Sequence, residues 1–219
     1  MQFNIKPSER AFLVGKTGGG KTTLAKYLLT EVSKKWRIVI IDAKHDFLGE
    51  KPVWASGKEP GTIKKPHLVE QYDPDLRVQV FQPSSPAYKD PRLDDLCYDI
   101  LDGRNCFVYI DDINRVATST VIPNGINALW TEGRSLKVAA WAGAQRPMRI
   151  PEFLRSQAEH WFVFWIGGLK DRKFVAEETN TPGVVTDRLR GFRYYYYHEP
   201  TMDQAVRMPP LPGGKVKQL

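Results

Sequence analysis

The chain has 219 residues, of which 32 are lysine or arginine and 25 are aspartate or glutamate, so its formal net charge is +7. This length suffices for one α/β domain with a proper core and leaves hardly any room for a second domain. The basic balance favours an anionic partner such as nucleic acid, although an ordinary basic protein shares it, and two cysteines, Cys97 and Cys106, are too few for a disulfide framework.

In chain order, short apolar runs alternate with helical stretches, which is the pattern of a mostly parallel sheet flanked by helices. The predicted strands are residues 12–15, 37–42, 78–82, 107–111, 138–144, 161–166 and 193–197. The predicted helices are residues 21–34, 93–101, 124–136 and 152–159. The predicted fold class is therefore α/β. We assign residues 1–199 to one domain and residues 200–219 to a C-terminal arm rich in proline and glycine.

The turn between the first strand and the first helix has the G-x-x-x-x-G-K-T spacing of a phosphate-binding loop, or P-loop. Its glycines let successive backbone N–H groups converge on phosphate oxygens. Lys21 is expected to reach the β- and γ-phosphates, and the Thr22 hydroxyl to ligate Mg²⁺. We therefore predict ATP and Mg²⁺ as ligands. The predicted nucleotide-binding residues are Gly15, Lys16, Thr17, Gly18, Gly19, Gly20, Lys21, Thr22 and Thr23.

Residues 47–76 form a long connection that contains several prolines, glycines and lysines and shows no apolar period. A loop of this length inside a compact domain is usually functional or mobile. Its lysines are either part of an anion-binding surface or only aids to solubility. Those that we single out are Lys51, Lys58, Lys64 and Lys65.

The apolar run at 107–110 ends in Asp111 and Asp112, which is the pattern of a Walker B strand. A buried parallel strand brings the first carboxylate to the edge of the sheet that holds the P-loop, where it completes the Mg²⁺ site. We therefore predict Asp111 as a metal ligand and Asp112 as the general base for an attacking water. The next strand ends at Gln145, which is a candidate γ-phosphate sensor or, alternatively, an ordinary surface glutamine.

These stretches occur in an order that resembles the FtsK–HerA superfamily of DNA-pumping ATPases. The P-loop comes first, and Asp-Ala-Lys-His-Asp at 42–46 is similar to that superfamily's Asp-Pro-Lys-Gly motif. The Walker B strand, Ala-Gln-Arg-Pro at 144–147 and the segment 154–166 then follow. The resemblance implies a RecA-like P-loop NTPase of the ASCE type. One departure is Asp112, because the relatives usually carry glutamate there. Asp42 is expected at the strand edge, and Lys44 near the DNA path or a neighbouring subunit.

The resemblance also implies a homo-oligomeric ring, pentameric or hexameric, in which one subunit supplies an arginine finger to its neighbour's γ-phosphate. Arg134 matches the superfamily's arginine best, and Arg146 is the second choice. Either residue could instead be an ordinary surface arginine, because a sequence does not show contacts between subunits.

Among the superfamily, a core of about this size resembles the genome-packaging ATPases of tailless, membrane-containing viruses, which push double-stranded DNA into a preformed capsid. This implies double-stranded DNA, copies of itself and a capsid or membrane protein at the packaging vertex as partners. It also implies a soluble protein of the host cytoplasm or the virion. Three alternatives remain: a plasmid or chromosomal DNA translocase, a small-molecule kinase and a non-catalytic nucleotide-binding scaffold. In the kinase, Arg188, Arg190 and Arg193 would form the lid.

Overall fold

The computed structural model describes residues 5–6, 8–33, 35–45, 47 and 66–210. Seven α-helices and nine strands occur in this part of the chain. The strands are β1 (Ala11–Val14), β2 (Arg37–Asp42), β3 (His67–Val69), β4 (Val78–Phe81), β5 (Cys106–Asp111), β6 (Val138–Ala144), β7 (His160–Val163), β8 (Tyr194–His198) and β9 (Val206–Met208). The helices are α1 (Lys21–Ser33), α2 (Pro91–Gly103), α3 (Ile113–Val116), α4 (Asn124–Thr131), α5 (Glu152–Arg155), α6 (Leu169–Glu178) and α7 (Gly183–Thr186).

The strands form one mixed sheet in the order β3-β4-β2-β5-β6-β1-β7-β8-β9. The seven strands from β3 to β7 are parallel, and β8 and β9 continue the sheet in antiparallel fashion. Every residue of β1, β4, β5, β6 and β7 is buried. Strands with helices on both faces are expected to be apolar throughout, which explains why they read as continuous apolar runs. This arrangement confirms the predicted α/β fold class.

Two apolar cores hold the helices against the sheet, one on each face. On one face, α2 and α4 pack against each other and against β-strand residues such as Phe12 and Val108. On the other face, Leu24 and Leu28 of α1 belong to the same cluster as Trp141. Because the parallel strands share one direction, the loops that follow β1, β2, β5 and β6 all lie at one edge of the sheet. We call it the carboxyl edge, and the opposite edge the amino edge.

Most predicted elements are present, and two of the helices are shorter than predicted. Strands β2 and β6 have the predicted bounds. Helix α4 ends at Thr131 rather than at residue 136, because residues 132–137 form turns in which Val138 N donates to Gly133 O. Helix α5 ends at Arg155 rather than at residue 159, because the Glu159 and His160 amides donate to Arg10 O at the start of β1.

Five of the helices and strands have no counterpart in the sequence prediction, among them the four-residue helices α3 and α7. Strand β3 lies inside the predicted 47–76 loop, and β9 lies inside the predicted arm, where it pairs with β8. Both are three residues long and partly exposed, so they lack a clear apolar pattern. Helix α6 is mostly exposed and buries few apolar side chains, which gives it a weak helical period. The four lysines singled out at 51–65 and the arm after residue 210 lie outside the described residues.

In the part of the chain that the structure describes, no helix combines the length and the apolar character needed to cross a bilayer. Cys97 on α2 and Cys106 on β5 are buried free thiols. Burial raises the pKa of the Cys106 thiol to about 12, so this residue is an inert part of the core.

Candidate nucleotide site

The P-loop is anchored to the sheet by backbone hydrogen bonds at its start. The Gly15 N–H donates to Ala144 O at the end of β6 (3.1 Å), and the Lys16 N–H donates to Trp165 O beyond β7 (2.9 Å). A Cβ atom on Gly15, whose φ is +150°, would lie 2.7 Å from the Cβ of Phe164. Glycine is therefore required at this position by both the backbone conformation and the close packing.

Helix α1 begins at Lys21, so its first N–H groups point into the loop, as in other anion sites at helix N-termini. The Lys21 ammonium group donates to Gly15 O (2.7 Å) and Lys16 O (3.0 Å), which holds it beneath the loop. Burial lowers the pKa of Lys21 to about 8, with a further lowering from Lys44, and the nearby carboxylates Asp111 and Asp112 oppose the shift. A phosphate group bound in the loop would bring a further negative charge close to this buried amine and so favour its protonated form.

Asp111 and Asp112 lie at the carboxyl edge, two strands away from the P-loop strand. Asp111 ends β5, is 1% exposed and accepts a hydrogen bond from the Tyr109 hydroxyl (3.4 Å). Asp112 has the left-handed backbone conformation, with φ 66°, and is also buried. On the neighbouring strand β6, a Cβ atom on Gly143 would lie 2.9 Å from the Tyr109 hydroxyl and 3.6 Å from Asp111 Oδ1. Glycine at position 143 therefore lets the Tyr109 hydroxyl and the Asp111 carboxylate pack against the backbone of β6.

Lys44 reaches these carboxylates from the loop after β2. Its ammonium group lies 3.3 Å from Asp112 Oδ2 and 3.7 Å from Asp111 Oδ2, and its side chain is only 14% exposed. The sequence prediction placed Lys44 near the DNA path or a neighbouring subunit, whereas the structure places it in this site. The reason is the sheet register, because β2 pairs with β5 so that Asp42 lies opposite Asp111.

Asp42 and Gln82 form a second polar contact at the carboxyl edge, and sequence reasoning missed the glutamine. The Asp42 carboxylate is fully buried and accepts hydrogen bonds from Gln82 Nε2 (3.2 Å) and from the Phe47 N–H (3.1 Å). Gln82 directly follows β4, which is paired with β2. Its position at the end of a buried strand was the available signal. The contact holds the start of the loop that carries Lys44.

Gln145 directly follows β6 and is half-buried. The preceding residue, Ala144, accepts the hydrogen bond from the first glycine of the P-loop, so Gln145 lies between the P-loop and the Walker B strand. This is the position predicted for it. The predicted ligand Thr22 is half-buried in the first turn of α1, next to Lys21, and Thr23 is exposed.

The two candidate finger arginines lie on opposite edges of the sheet. Arg146 is at the carboxyl edge, where its Nε donates to Asp171 Oδ2 (2.9 Å). Arg134 precedes β6 and therefore lies at the amino edge, where it forms an ion pair with Glu159 and remains 64% exposed. The six spacings between the seven residues of β6, at about 3.3 Å each, separate the two edges by about 20 Å. Arg134 is thus remote from the P-loop of its own chain.

The groups at the carboxyl edge fit phosphates and a hard divalent cation. The loop offers backbone N–H donors and the Lys21 amine, while Thr22 and Asp111 offer the oxygen ligands that Mg²⁺ prefers. Asp112 Oδ1 is buried and has no hydrogen-bond partner among the described residues, so it can accept a bond from a ligand or water. The fold and the site together define a P-loop NTPase of the ASCE type, with one strand between the P-loop strand and the Walker B strand.

Comparisons with known proteins identify the family. Residues 8–124, which include the P-loop and the Walker B strand, match the family described as Helicase HerA, central domain. The chain belongs to this family, which confirms the predicted FtsK–HerA membership. It is also 26% identical to the DNA packaging ATPase P9 of Enterobacteria phage PRD1, in an alignment that covers 93% of this chain and 88% of P9.

Solved structures show the same fold. One is the genome packaging NTPase B204 of Sulfolobus turreted icosahedral virus 2 in complex with AMPPCP, with a TM-score of 0.72 and 13% identity over 94% of this chain and 100% of that chain. Another is the DNA-packaging ATPase B204 of Sulfolobus turreted icosahedral virus, with the same TM-score and 16% identity over the same shares. This chain and the two B204 proteins therefore share one fold, and in this chain that fold carries the P-loop with Lys21 and the strand that ends at Asp111 and Asp112.

Proposed function

We propose that this protein is an ATP-hydrolysing motor that moves double-stranded DNA, and that it packages a viral genome into a preformed capsid. The observation that carries the proposal is the alignment with the packaging ATPase P9 over nearly the whole of both chains. The site geometry supports it, because Lys21 and the two Walker B carboxylates are gathered at one edge of the sheet.

Each residue of the site has a role in this proposal. The P-loop N–H groups and Lys21 bind the phosphate chain, while Thr22 and Asp111 hold Mg²⁺. When bound, the ion neutralises charge on the β- and γ-phosphate oxygens. Asp112 orients the attacking water and accepts its proton, for which its unpartnered buried Oδ1 is suited. Gln145 contacts the γ-phosphate from the end of β6.

The motor works in this proposal as a homo-oligomeric ring of five or six subunits. Its partners are double-stranded DNA and a capsid or membrane protein at the packaging vertex, and it acts in the host cytoplasm or the virion. A plasmid or chromosomal translocase would have the same site and would differ only in what receives the DNA.

ATPase activity measured with and without duplex DNA tests the proposal. Hydrolysis stimulated by DNA is the expected result. Hydrolysis that DNA does not change, together with phosphate transfer to a small molecule, would indicate the kinase. ATP binding without hydrolysis would indicate the scaffold, and either result contradicts the proposal.

Single substitutions separate the roles of the site residues. Lys21→Ala should lose hydrolysis and also weaken ATP binding, because it removes positive charge from the phosphates. Asp111→Ala should lose hydrolysis and retain ATP binding.

Asp112→Asn should lower kcat by about 10²-fold or more and trap bound ATP, because a positioned base contributes about 10²–10⁴-fold. Near-normal turnover of Asp112→Asn in a steady-state assay would exclude Asp112 as the base.

A further inference from the structure

The order of the strands fixes the direction in which a bound nucleotide lies. Asp111, Asp112 and Gln145 follow β5 and β6, which are on one side of the P-loop strand β1. The terminal phosphate must face these residues if they act on it. The ribose and base therefore leave the P-loop toward the opposite side, where β7 and β8 lie.

An exposed aromatic residue, Phe192, stands on that opposite side. Strand β8 is antiparallel to β7, so its first residues lie at the carboxyl edge, and Phe192 is two residues before β8 begins. Phe192 is 42% exposed. Its ring nevertheless lies close to the P-loop, because its Cδ1 atom is 3.0 Å from the position that a Cβ atom on Gly20 would occupy. A ring in this position presents apolar surface to solvent directly beside the phosphate cradle.

The backbone at Phe192 is strained in a way that glycine would avoid. Its φ is 60°, in the left-handed region that residues with a Cβ atom rarely adopt. The preceding residue, Gly191, has the same sign of φ (61°). Such backbone conformations recur at ligand-binding positions, although this chain also adopts them in turns, as at Arg104 and Asn180.

A second aromatic residue, Phe164, contacts the same glycine of the P-loop. Phe164 is 2% exposed, and its Cε1 lies at the same 3.0 Å from a Cβ position on Gly20. The Phe164 ring packs in turn on Tyr194 of β8, at 5.2 Å between centroids. Phe164 and Phe192 therefore both lie against Gly20 of the P-loop, and Phe164 is in turn fixed to the sheet through Tyr194.

We propose that Phe192 stacks against the purine base of the bound nucleotide and so selects purine nucleotides over bare polyphosphate. This inference rests on the proposed function, because it assumes that the P-loop binds a nucleoside triphosphate. An aromatic ring suits the role since every purine has a flat π-face, and base–aromatic stacking contributes about 1–3 kcal/mol per base.

The test compares two ligands, ATP and inorganic tripolyphosphate, which has the phosphates without the base. Their affinities are measured by calorimetry in the presence of Mg²⁺ for the wild type, Phe192→Leu and Phe192→Tyr. Phe192→Leu keeps apolar bulk against the P-loop and removes the π-face, so ATP should bind about tenfold more weakly and tripolyphosphate with unchanged affinity. Phe192→Tyr should bind both ligands like the wild type.

Phe153→Leu is the matched control, because Phe153 is an exposed phenylalanine on α5, in the connection between β6 and β7. It should change neither affinity. Equal weakening of both ligands by Phe192→Leu would show that Phe192 only supports the P-loop, and no weakening would place the base elsewhere; both results overturn the inference. A wild type that binds neither ligand would instead contradict the proposed function.

Discussion

Lys44 places a positive charge beside the two carboxylates that are expected to complete the metal site. Asp111 and Asp112 are both buried, so their mutual repulsion is poorly screened, and the Lys44 ammonium group at 3.3–3.7 Å offsets it. A cation bound at Asp111 would meet the same carboxylates and the same lysine. Lys44 and a divalent cation would therefore perform overlapping electrostatic roles.

We expect Lys44→Met to destabilise the protein more without Mg²⁺ than with it. The loss of unfolding free energy should be roughly 2 kcal/mol in a chelator, below the range of about 3–5 kcal/mol for a fully buried pair, because the lysine is partly exposed. Added Mg²⁺ should restore much of this loss by supplying the missing charge. Urea unfolding curves in the two conditions measure the difference.

Lys6→Met is the control for this substitution. Lys6 pairs with Glu9 at 3.8 Å, but its side chain is 67% exposed, and it lies at the amino edge, away from the carboxylates. Exposed pairs of this kind contribute little, so the variant should behave like the wild type in both conditions. A loss at Lys44→Met that Mg²⁺ does not change would mean that the lysine is only a structural partner of the carboxylates.

At the scale of elements, the antiparallel pair β7–β8 is joined at the amino edge by a buried histidine. His160 lies opposite His198 in the register, and the two rings stack at 4.3 Å with an interplanar angle of 6°. His160 Nε2 contacts Glu9 Oε2 (2.9 Å), and its Nδ1 contacts the Tyr196 hydroxyl (3.0 Å). Because the two rings are parallel, their nitrogen lone pairs do not point toward a common position. The arrangement of His160 and His198 therefore suits stacking and hydrogen bonding rather than coordination of one metal ion by both rings.

Burial lowers the pKa of His160 below its ordinary value of 6.5, although Glu9 opposes the shift; His198 and Lys6 add to the lowering. The unfolded chain therefore binds a proton at a pH where the folded protein does not, and the unfolding free energy falls as the pH drops below about 6.5. The pKa of Glu9 is also lowered from 4.5; burial alone would raise it, but hydrogen bonds from the Lys6 N–H and His160 outweigh this. The loss of stability thus continues below about pH 4.5.

We expect His160→Gln to flatten the loss of stability between about pH 7 and pH 5, because glutamine keeps a donor for Glu9 and does not titrate. Unfolding free energies from urea curves across this range measure the slope. His67→Gln is the control, since His67 on β3 is exposed. A slope in His160→Gln that equals the wild-type slope would assign the acid sensitivity to other groups.

At the scale of the whole molecule, Arg134 lies too far from the P-loop of its own chain to act on a nucleotide bound there. It lies at the amino edge, about 20 Å from the carboxyl edge that carries its own P-loop, and it is held by Glu159. Arg146, in contrast, is at the carboxyl edge and is paired with Asp171 of its own chain. A ring in which the amino edge of one subunit meets the carboxyl edge of the next would give Arg134 access to a γ-phosphate.

We expect Arg134→Ala to bind ATP normally and to hydrolyse it about 10³-fold more slowly, which is the contribution of an arginine finger. Mixing Arg134→Ala subunits with Lys21→Ala subunits should restore part of the ATPase activity, because a mixed interface has one intact P-loop and one intact arginine. Arg146→Ala mixed with Lys21→Ala is the parallel control. Assembled mixed rings without recovered activity would contradict a role of Arg134 between subunits.

The sequence by itself determined the fold class, the family and the centre of the site. These features depend on local chemistry: glycines that shape the P-loop, Lys21 at the start of a helix, and a fully apolar strand that ends at Asp111. Each of them can be recognised within about ten consecutive residues, and the order of the strands and helices follows from the alternation of apolar periods.

Only the tertiary structure decided which distant residues join that site. Lys44 reaches the Walker B carboxylates through the register of β2 on β5, and Phe192 reaches Gly20 although more than 170 residues separate them in the chain. Only the tertiary structure likewise shows that Arg134 pairs with Glu159 and that β9 pairs with β8 as the outermost strand of the sheet. No local pattern specifies these contacts, because they arise from strand order and side-chain packing, which a single sequence encodes only through the fold as a whole.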